Sequence, residues 1–210
     1  VMVNDDKSSF YHIDFSFDTF KLGGSAFAQS LGKVGDDVPT VQEAEYFRDA
    51  FLAVQALINK GLIMAGHDIS AGGLITTLLE MCFANVEGGM EISLNKLKEE
   101  DIVKILFAEN PGIVIQVKDK HKDEISKLLE EAGVGFVKIG KPTDERHILV
   151  TKGEATYQFG IDYMRDVWYS SSYLLDRKQS MNGCAKKRFE NFRMQPIETV
   201  FAPSFKGTFS

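Results

Sequence analysis

The stretch Gly66-His67-Asp68-Ile69-Ser70-Ala71-Gly72-Gly73-Leu74 constrains the fold of this chain more than any other. An apolar run, Leu62-Ile63-Met64-Ala65, leads into it, and an amphipathic run over 74–83 leaves it. That pattern predicts a strand feeding a helix through a polar, glycine-bearing turn, which is where α/β proteins place ligands. A helix start leaves backbone N–H groups unpaired, and Gly72 and Gly73 have no side chains to keep an anion away. On local sequence Asp68 and Ser70 have two roles open to them: capping the helix, or adding a carboxylate and a hydroxyl to a ligand site. A lone carboxylate does not hold Mg²⁺, which takes one or two carboxylates together with phosphates and water. A metal at Asp68 therefore needs co-ligands from another segment.

The remaining chain alternates in type. Residues 10–17 read as an aromatic, β-branched strand, followed by the turn Leu22-Gly23-Gly24-Ser25, with Ser25 capping a short helix over 26–31. Locally that turn is either a plain glycine turn or a ligand loop. Ala44, Phe47, Ala50, Phe51, Val54, Leu57 and Ile58 recur at spacings of three and four and predict one face of a helix over 43–59, stopped at Gly61. A helix over 72–85 follows the central strand, with Leu74, Ile75, Leu78, Leu79 and Phe83 inward. The pattern then predicts a strand over 90–94, a helix over 95–106, a turn over 107–112 and a strand over 113–117. A helix over 120–132 and strands over 136–140 and 147–151, separated by Lys141-Pro142-Thr143-Asp144, complete it. Some neighbouring strands have only turns between them, which fits an α+β domain with a layered mixed β-sheet and packed helices better than a doubly wound parallel one.

Residues 155–178 read as one long helix with a stripe of Tyr157, Ile161, Met164, Val167, Trp168, Ser171, Leu174 and Leu175, and beyond Gln179 no periodicity remains. The expected organisation is a polar linker exposed by truncation over 1–9, a main domain over 10–153, a helical extension over 154–178 and a connector over 179–210.

A formal charge of -6 argues against general nucleic-acid binding, which needs concentrated Lys and Arg. No apolar run approaches the roughly 20 residues that cross a bilayer, and no signal-peptide layout is seen, so no membrane role and a cytoplasmic setting are expected. Cys82 and Cys184 form no CxxC and have no His or Asn partner nearby; Cys82 is expected in the core. His12, His67, His121 and His147 show no ligand spacing, with His12 expected to be structural and His121 and His147 solvated.

Leu22-Gly23-Gly24-Ser25-Ala26, the motif His67-Asp68-Ile69-Ser70-Ala71-Gly72-Gly73-Leu74 with Leu79-Glu80-Met81, and the 107–117 turn and strand closely resemble the C-terminal domain of the aminoimidazole ribonucleotide synthetase-like superfamily. Arg165-Asp166-Val167-Trp168, Ser171-Ser172-Tyr173 and Cys184-Ala185 narrow the resemblance to the phosphoribosylformylglycinamidine synthase family, in the second C-terminal subdomain and the segment leading toward a glutaminase domain. The resemblance covers residues 10–195. It implies an ATP-dependent, glutamine-using amidoligase of purine biosynthesis, in which this domain is non-catalytic and shares an auxiliary ATP or ADP and Mg²⁺ site with the other domains of the polypeptide. It places the metal contact on Asp68 and the nucleotide contact on Ser70, with Gly72, Gly73 and Glu109 as further ligand-loop candidates. Ala71 stands where the family often has Asp, which weakens any role for a second carboxylate. The alternative is a stand-alone scaffolding or interaction domain whose glycine motif is only a cap. A complete small kinase or synthetase is disfavoured, because no nucleotide-binding domain precedes Phe10.

Overall fold

Short runs rich in β-branched and aromatic residues build the frame. In the computed structural model, which describes residues 1–191, the strands are β1 (Ser8–Asp14), β2 (Ile63–Ile69), β3 (Gly89–Ser93), β4 (Gly112–Lys118), β5 (Phe136–Thr143), β6 (His147–Lys152) and β7 (Ala155–Gly160). They form one seven-stranded sheet in the order β2-β4-β1-β5-β3-β6-β7, antiparallel except for the β3–β6 pair. The helices are α1 (Ala26–Ser30), α2 (Ala44–Asn59), α3 (Gly73–Phe83), α4 (Ile102–Phe107), α5 (Lys122–Glu131), α6 (Ile161–Gln179) and α7 (Cys184–Glu190). The mixed, layered sheet is the fold class expected from sequence.

Period-two alternation sends successive side chains to opposite faces, and each face has its own core. Phe10, Val114 and Ile139 join Leu74, Ile75, Leu78, Met81 and Cys82 of α3 and Ile105 of α4 on one side. Tyr11, Ile13, Ile115 and Val117 join Ala50, Ala53, Val54 and Leu57 of α2 and Ile125 and Leu129 of α5 on the other. Burial pushes the Cys82 thiol up to about 12, so it behaves as a packed apolar group.

Several expectations are corrected. The central strand does not stop at Ala65 but runs through Gly66, His67 and Asp68 to Ile69, paired with β4. Residues 95–101 are not helical: Leu94 N–H bonds the Thr151 carbonyl, Asn95 accepts Gly153 N–H, and α4 begins only where the Asp101 side chain caps Val103 N–H. Lys141, Pro142 and Thr143 continue β5 rather than turning. Residues 155–160 are not the start of the long helix; Gly153 (φ 59°) and Glu154 close a tight hairpin, and β7 pairs with β6 from Lys152↔Ala155 to His147↔Gly160. Phe51 and Ile58 of α2 are exposed while Ala53 is buried, so its inward stripe is turned from the expected one. Met2 is buried and its N–H bonds the Met81 carbonyl, and β1 starts at Ser8; the polar opening of the chain therefore packs on the fold.

The chain separates into two compact units, Val1–Asp166 and a second that begins at Val167. In the second, Tyr169 and Tyr173 stack on Phe189, and Arg188 forks onto Asp176, so α7 stands where a non-periodic connector was expected. Residues 192–210 of that expected connector lie outside the described residues. Among the described residues no helix is long and apolar enough to cross a membrane.

Candidate functional site

Strand register brings four chain ends to one edge of the sheet. Asp14 pairs with Gly112, Gly112 with Ile69, and Ile13 with Phe136, so the loops after β1 and β2 and those before β4 and β5 lie together. Two of these loops are shaped by glycine. Gly72 adopts φ 89° and caps α3 without any side-chain contribution, and Gly73 follows at φ 72°. A Cβ on Gly73 would lie 2.7 Å from the Leu106 carbonyl oxygen, which explains why the second glycine is required for α3 to approach α4. Across the edge, Gly23 donates to the Asp37 carbonyl so closely that a Cβ there would meet Asp37 backbone at 2.5 Å. Ser25 caps α1 by accepting Ala28 N–H, as expected.

One carboxylate ties these loops together. Glu109 Oε1 accepts Gly72 N–H at 2.8 Å and Ala26 N–H at 2.7 Å. Phe27 stacks on Phe107 at 4.6 Å beside it. The anion expected at the glycine turn is thus, in this chain, one of its own side chains. Glu109 was among the sequence candidates; Ala26 N–H was not, because a backbone donor leaves no residue-type signature.

The geometry removes the capping role from Asp68 and Ser70. Asp68 sits on β2, not at the helix start, with its side chain 75% exposed. Its carbonyl accepts Thr77 Oγ1 at 2.9 Å and faces His67 Nδ1 at 2.8 Å, while its carboxylate Oδ1 lies 3.5 Å from the same ring nitrogen. The Ser70 carbonyl accepts Gly73 N–H, and its hydroxyl has no partner among the described residues. His67 is held on its other side by Glu80, Nε2 to Oε2 3.2 Å, a pairing that the strand-to-helix spacing conceals. Among the described residues no group of three or more His, Cys, Asp or Glu side chains gathers to hold a metal. What this edge offers is one exposed carboxylate, one free hydroxyl and a turn of backbone donors. That set matches a cation bound mostly by phosphate and water, and does not make an all-protein cage.

Residues 19–152 match the family described as AIR synthase related protein, C-terminal domain. Over 95% of its length the chain is 33% identical to the probable phosphoribosylformylglycinamidine synthase, chloroplastic/mitochondrial, of Arabidopsis thaliana, and over 82% it is 30% identical to the phosphoribosylformylglycinamidine synthase of Homo sapiens. It spans 14% and 13% of those two proteins. Among solved structures it resembles T. maritima PurL complexed with ATP, with a TM-score of 0.59 at 12% identity over 78% of this chain and 26% of that one, a likeness of fold.

Proposed function

The chain belongs to the AIR synthase related protein family as a C-terminal domain, and from that premise we propose that it serves as the second C-terminal subdomain of a phosphoribosylformylglycinamidine synthase. The parent enzyme, on this reading, is a cytoplasmic ligase in which ATP phosphorylates the glycinamide carbonyl oxygen of formylglycinamide ribonucleotide and ammonia from glutamine displaces it as phosphate. This subdomain supplies no catalytic residue. It contributes half of an auxiliary nucleotide site, the other half coming from further domains of the same polypeptide. Homology to the plant and human synthases over most of the chain supports the enzyme.

The observation that carries the site is the convergence of Gly72 and Ala26 N–H groups on one anionic oxygen at the sheet edge that also holds Asp68 and Ser70. Two loops aimed at one negative charge are what a phosphate needs. Asp68 would give the Mg²⁺ its protein carboxylate, and Ser70 would donate to a phosphate oxygen. The ion, when bound, supplies charge neutralisation for the phosphates. Glu109 holds the donors in place and competes with phosphate for them.

That last point also favours a second reading, in which Glu109 is a permanent latch and the glycine turn binds nothing. Nucleotide and magnesium co-purifying with the full-length enzyme separate the two. Asp68→Ala is expected to lose the bound nucleotide while the enzyme remains folded; full nucleotide retention with unchanged thermal stability would leave only the latch.

A further inference from the structure

The two elements that the glycine turn joins are also tied to each other by side chains. On β2, Ala65 and Ile69 belong to the core beneath α3, and His67, midway between them at period two, shares that face. On α3, Thr77 and Glu80 stand three residues apart and so lie on one side of the helix. Thr77 Oγ1 donates to the Asp68 carbonyl at 2.9 Å, and Glu80 Oε2 lies 3.2 Å from His67 Nε2.

The His67 ring is therefore held at both nitrogens. Nε2 meets the Glu80 carboxylate, and Nδ1 meets the Asp68 carbonyl oxygen at 2.8 Å with Asp68 Oδ1 3.5 Å away. Exposure rises along this series, from 24% for the Glu80 side chain through 30% for His67 to 75% for Asp68. The anchored end lies in the protein and the open end faces outward, the layout of a group oriented for a ligand. These three residues do not surround a common point that could hold a metal, so His67 and Glu80 act on the Asp68 side chain rather than beside it.

Joining β2 to α3 is already accomplished by Thr77 and by the packing of Ile69, Leu74 and Leu78. The contact from Nδ1 does something else. It is the one contact that the Asp68 carboxylate has among the described residues, and it limits the directions in which that side chain can point.

We propose that Glu80 is a positioning residue for the auxiliary site: by holding His67, it sets the direction in which Asp68 presents its carboxylate to a divalent cation. This rests on the auxiliary-site reading of Asp68 and extends the site one layer inward, to the middle of α3. Carboxylates that bind metal are themselves oriented by hydrogen-bonded neighbours, and removal of such a neighbour typically costs about 10–100-fold in metal affinity.

The test uses the full-length enzyme and reads the free Mg²⁺ concentration at which half of the co-purified nucleotide is retained on dialysis. Glu80→Ala is expected to raise that midpoint about tenfold or more, with full retention restored at saturating Mg²⁺. Glu80→Gln, which keeps an oxygen within reach of Nε2, should raise it less. His67→Phe keeps a ring without nitrogens and should raise it as far as Glu80→Ala. In the His67→Phe background Glu80→Ala should then add nothing, because Glu80 acts through the ring. A merely structural tie would instead lower the melting temperature and shed nucleotide at every Mg²⁺ concentration. That result, an unmoved midpoint in Glu80→Ala, or additive shifts overturns the proposal, while loss of nucleotide in Asp68→Ala still upholds the auxiliary site. Full retention by Asp68→Ala overturns both.

Discussion

The Glu109 carboxylate accepts the backbone N–H of Gly72 at 2.8 Å, and the same oxygen takes Ala26 N–H at 2.7 Å. Two loops far apart in sequence are thereby fixed by a single negative charge. The arrangement makes Glu109 both a structural strut and a surrogate for any anion that the turn receives.

Glu109→Ala should accordingly separate those roles. Losing two charge-assisted hydrogen bonds at a partly exposed site is expected to cost about 1–2 kcal/mol in urea unfolding. Glu109→Gln, which keeps an acceptor oxygen, should cost less than half of that. If phosphate uses the same donors, Glu109→Ala raises phosphate affinity measured by calorimetry; a permanent latch would show the stability loss with no change in phosphate binding.

The two adjacent glycines should differ in their tolerance of alanine. Both sit at left-handed φ, so each substitution carries backbone strain of about 1–2 kcal/mol. At Gly72 the new Cβ meets the Thr76 side chain at 2.2 Å, which a rotamer change can relieve at the expense of its bond to the Gly72 carbonyl. At Gly73 it meets the backbone of Leu106 and Phe107, which cannot move without displacing α4. Gly73→Ala is therefore expected to lower the melting temperature more than Gly72→Ala, and equal shifts would mean that the α3–α4 approach is looser than its geometry.

Much of the fold could be read from local pattern, and the failures share a cause. Ser25 as a cap, Gly61 as a stop and the apolar face of α3 are single-segment features, and all three stand. The 155–160 segment misled because Tyr157, Ile161 and Met164 keep helical spacing across a strand-to-helix boundary. The two-residue Gly153-Glu154 hairpin loop was the stronger signal. Residues 95–101 look amphipathic, yet Lys152 Nζ donates to the Leu97 carbonyl and Asn95 holds Gly153, contacts with a hairpin some 55 positions away. At the candidate site, the turn and Glu109 were visible as residue types, whereas the donor from Ala26 and the Glu80 contact to His67 exist only through tertiary register.

Arg146 closes the C-terminal end of α3. Its guanidinium donates to the carbonyls of Cys82, Asn85 and Gly88 at 3.3, 2.7 and 3.1 Å and to Asp162 at 3.1 Å. The planar fork serves several acceptors at once, and its charge opposes the negative end of the helix. Arg146→Ala should destabilise by about 2–3 kcal/mol, with unsatisfied carbonyls the main cost. Arg146→Lys is expected to recover less than half. Full recovery by lysine in denaturant titrations would reduce the role to simple charge.

Gln116 straps down the start of the chain. Fully buried, it donates to the Val3 carbonyl at 2.6 Å and to Ser8 Oγ at 2.8 Å, and accepts Val3 N–H at 2.9 Å. Gln116→Leu keeps the volume but strands these groups, so a loss of about 2–3 kcal/mol is expected. Amide exchange at Val3 should accelerate as the strap releases; unchanged protection there would show that Met2 burial alone holds the segment.

His12 should make stability depend on acid in a defined window. Its folded value of about 4 lies below the ordinary 6.5 because burial disfavours the imidazolium more strongly than nearby Asp14 favours it. Above 6.5 the ring is neutral in both states, and its contribution is complete. Between 6.5 and 4 the unfolded chain takes up a proton that the folded chain refuses, so stability falls as pH falls; below 4 the contribution is gone. At 1.36 kcal/mol per pKa unit the full swing is about 3 kcal/mol. His12→Phe packs against Phe20 without titrating, so its urea midpoint should decline less than that of the parent chain between pH 7 and pH 4.5. The difference between the two curves isolates this ring from every other group protonating over the same range. Parallel curves would mean that the folded imidazole protonates as readily as the unfolded one, and that its burial does not disfavour the imidazolium.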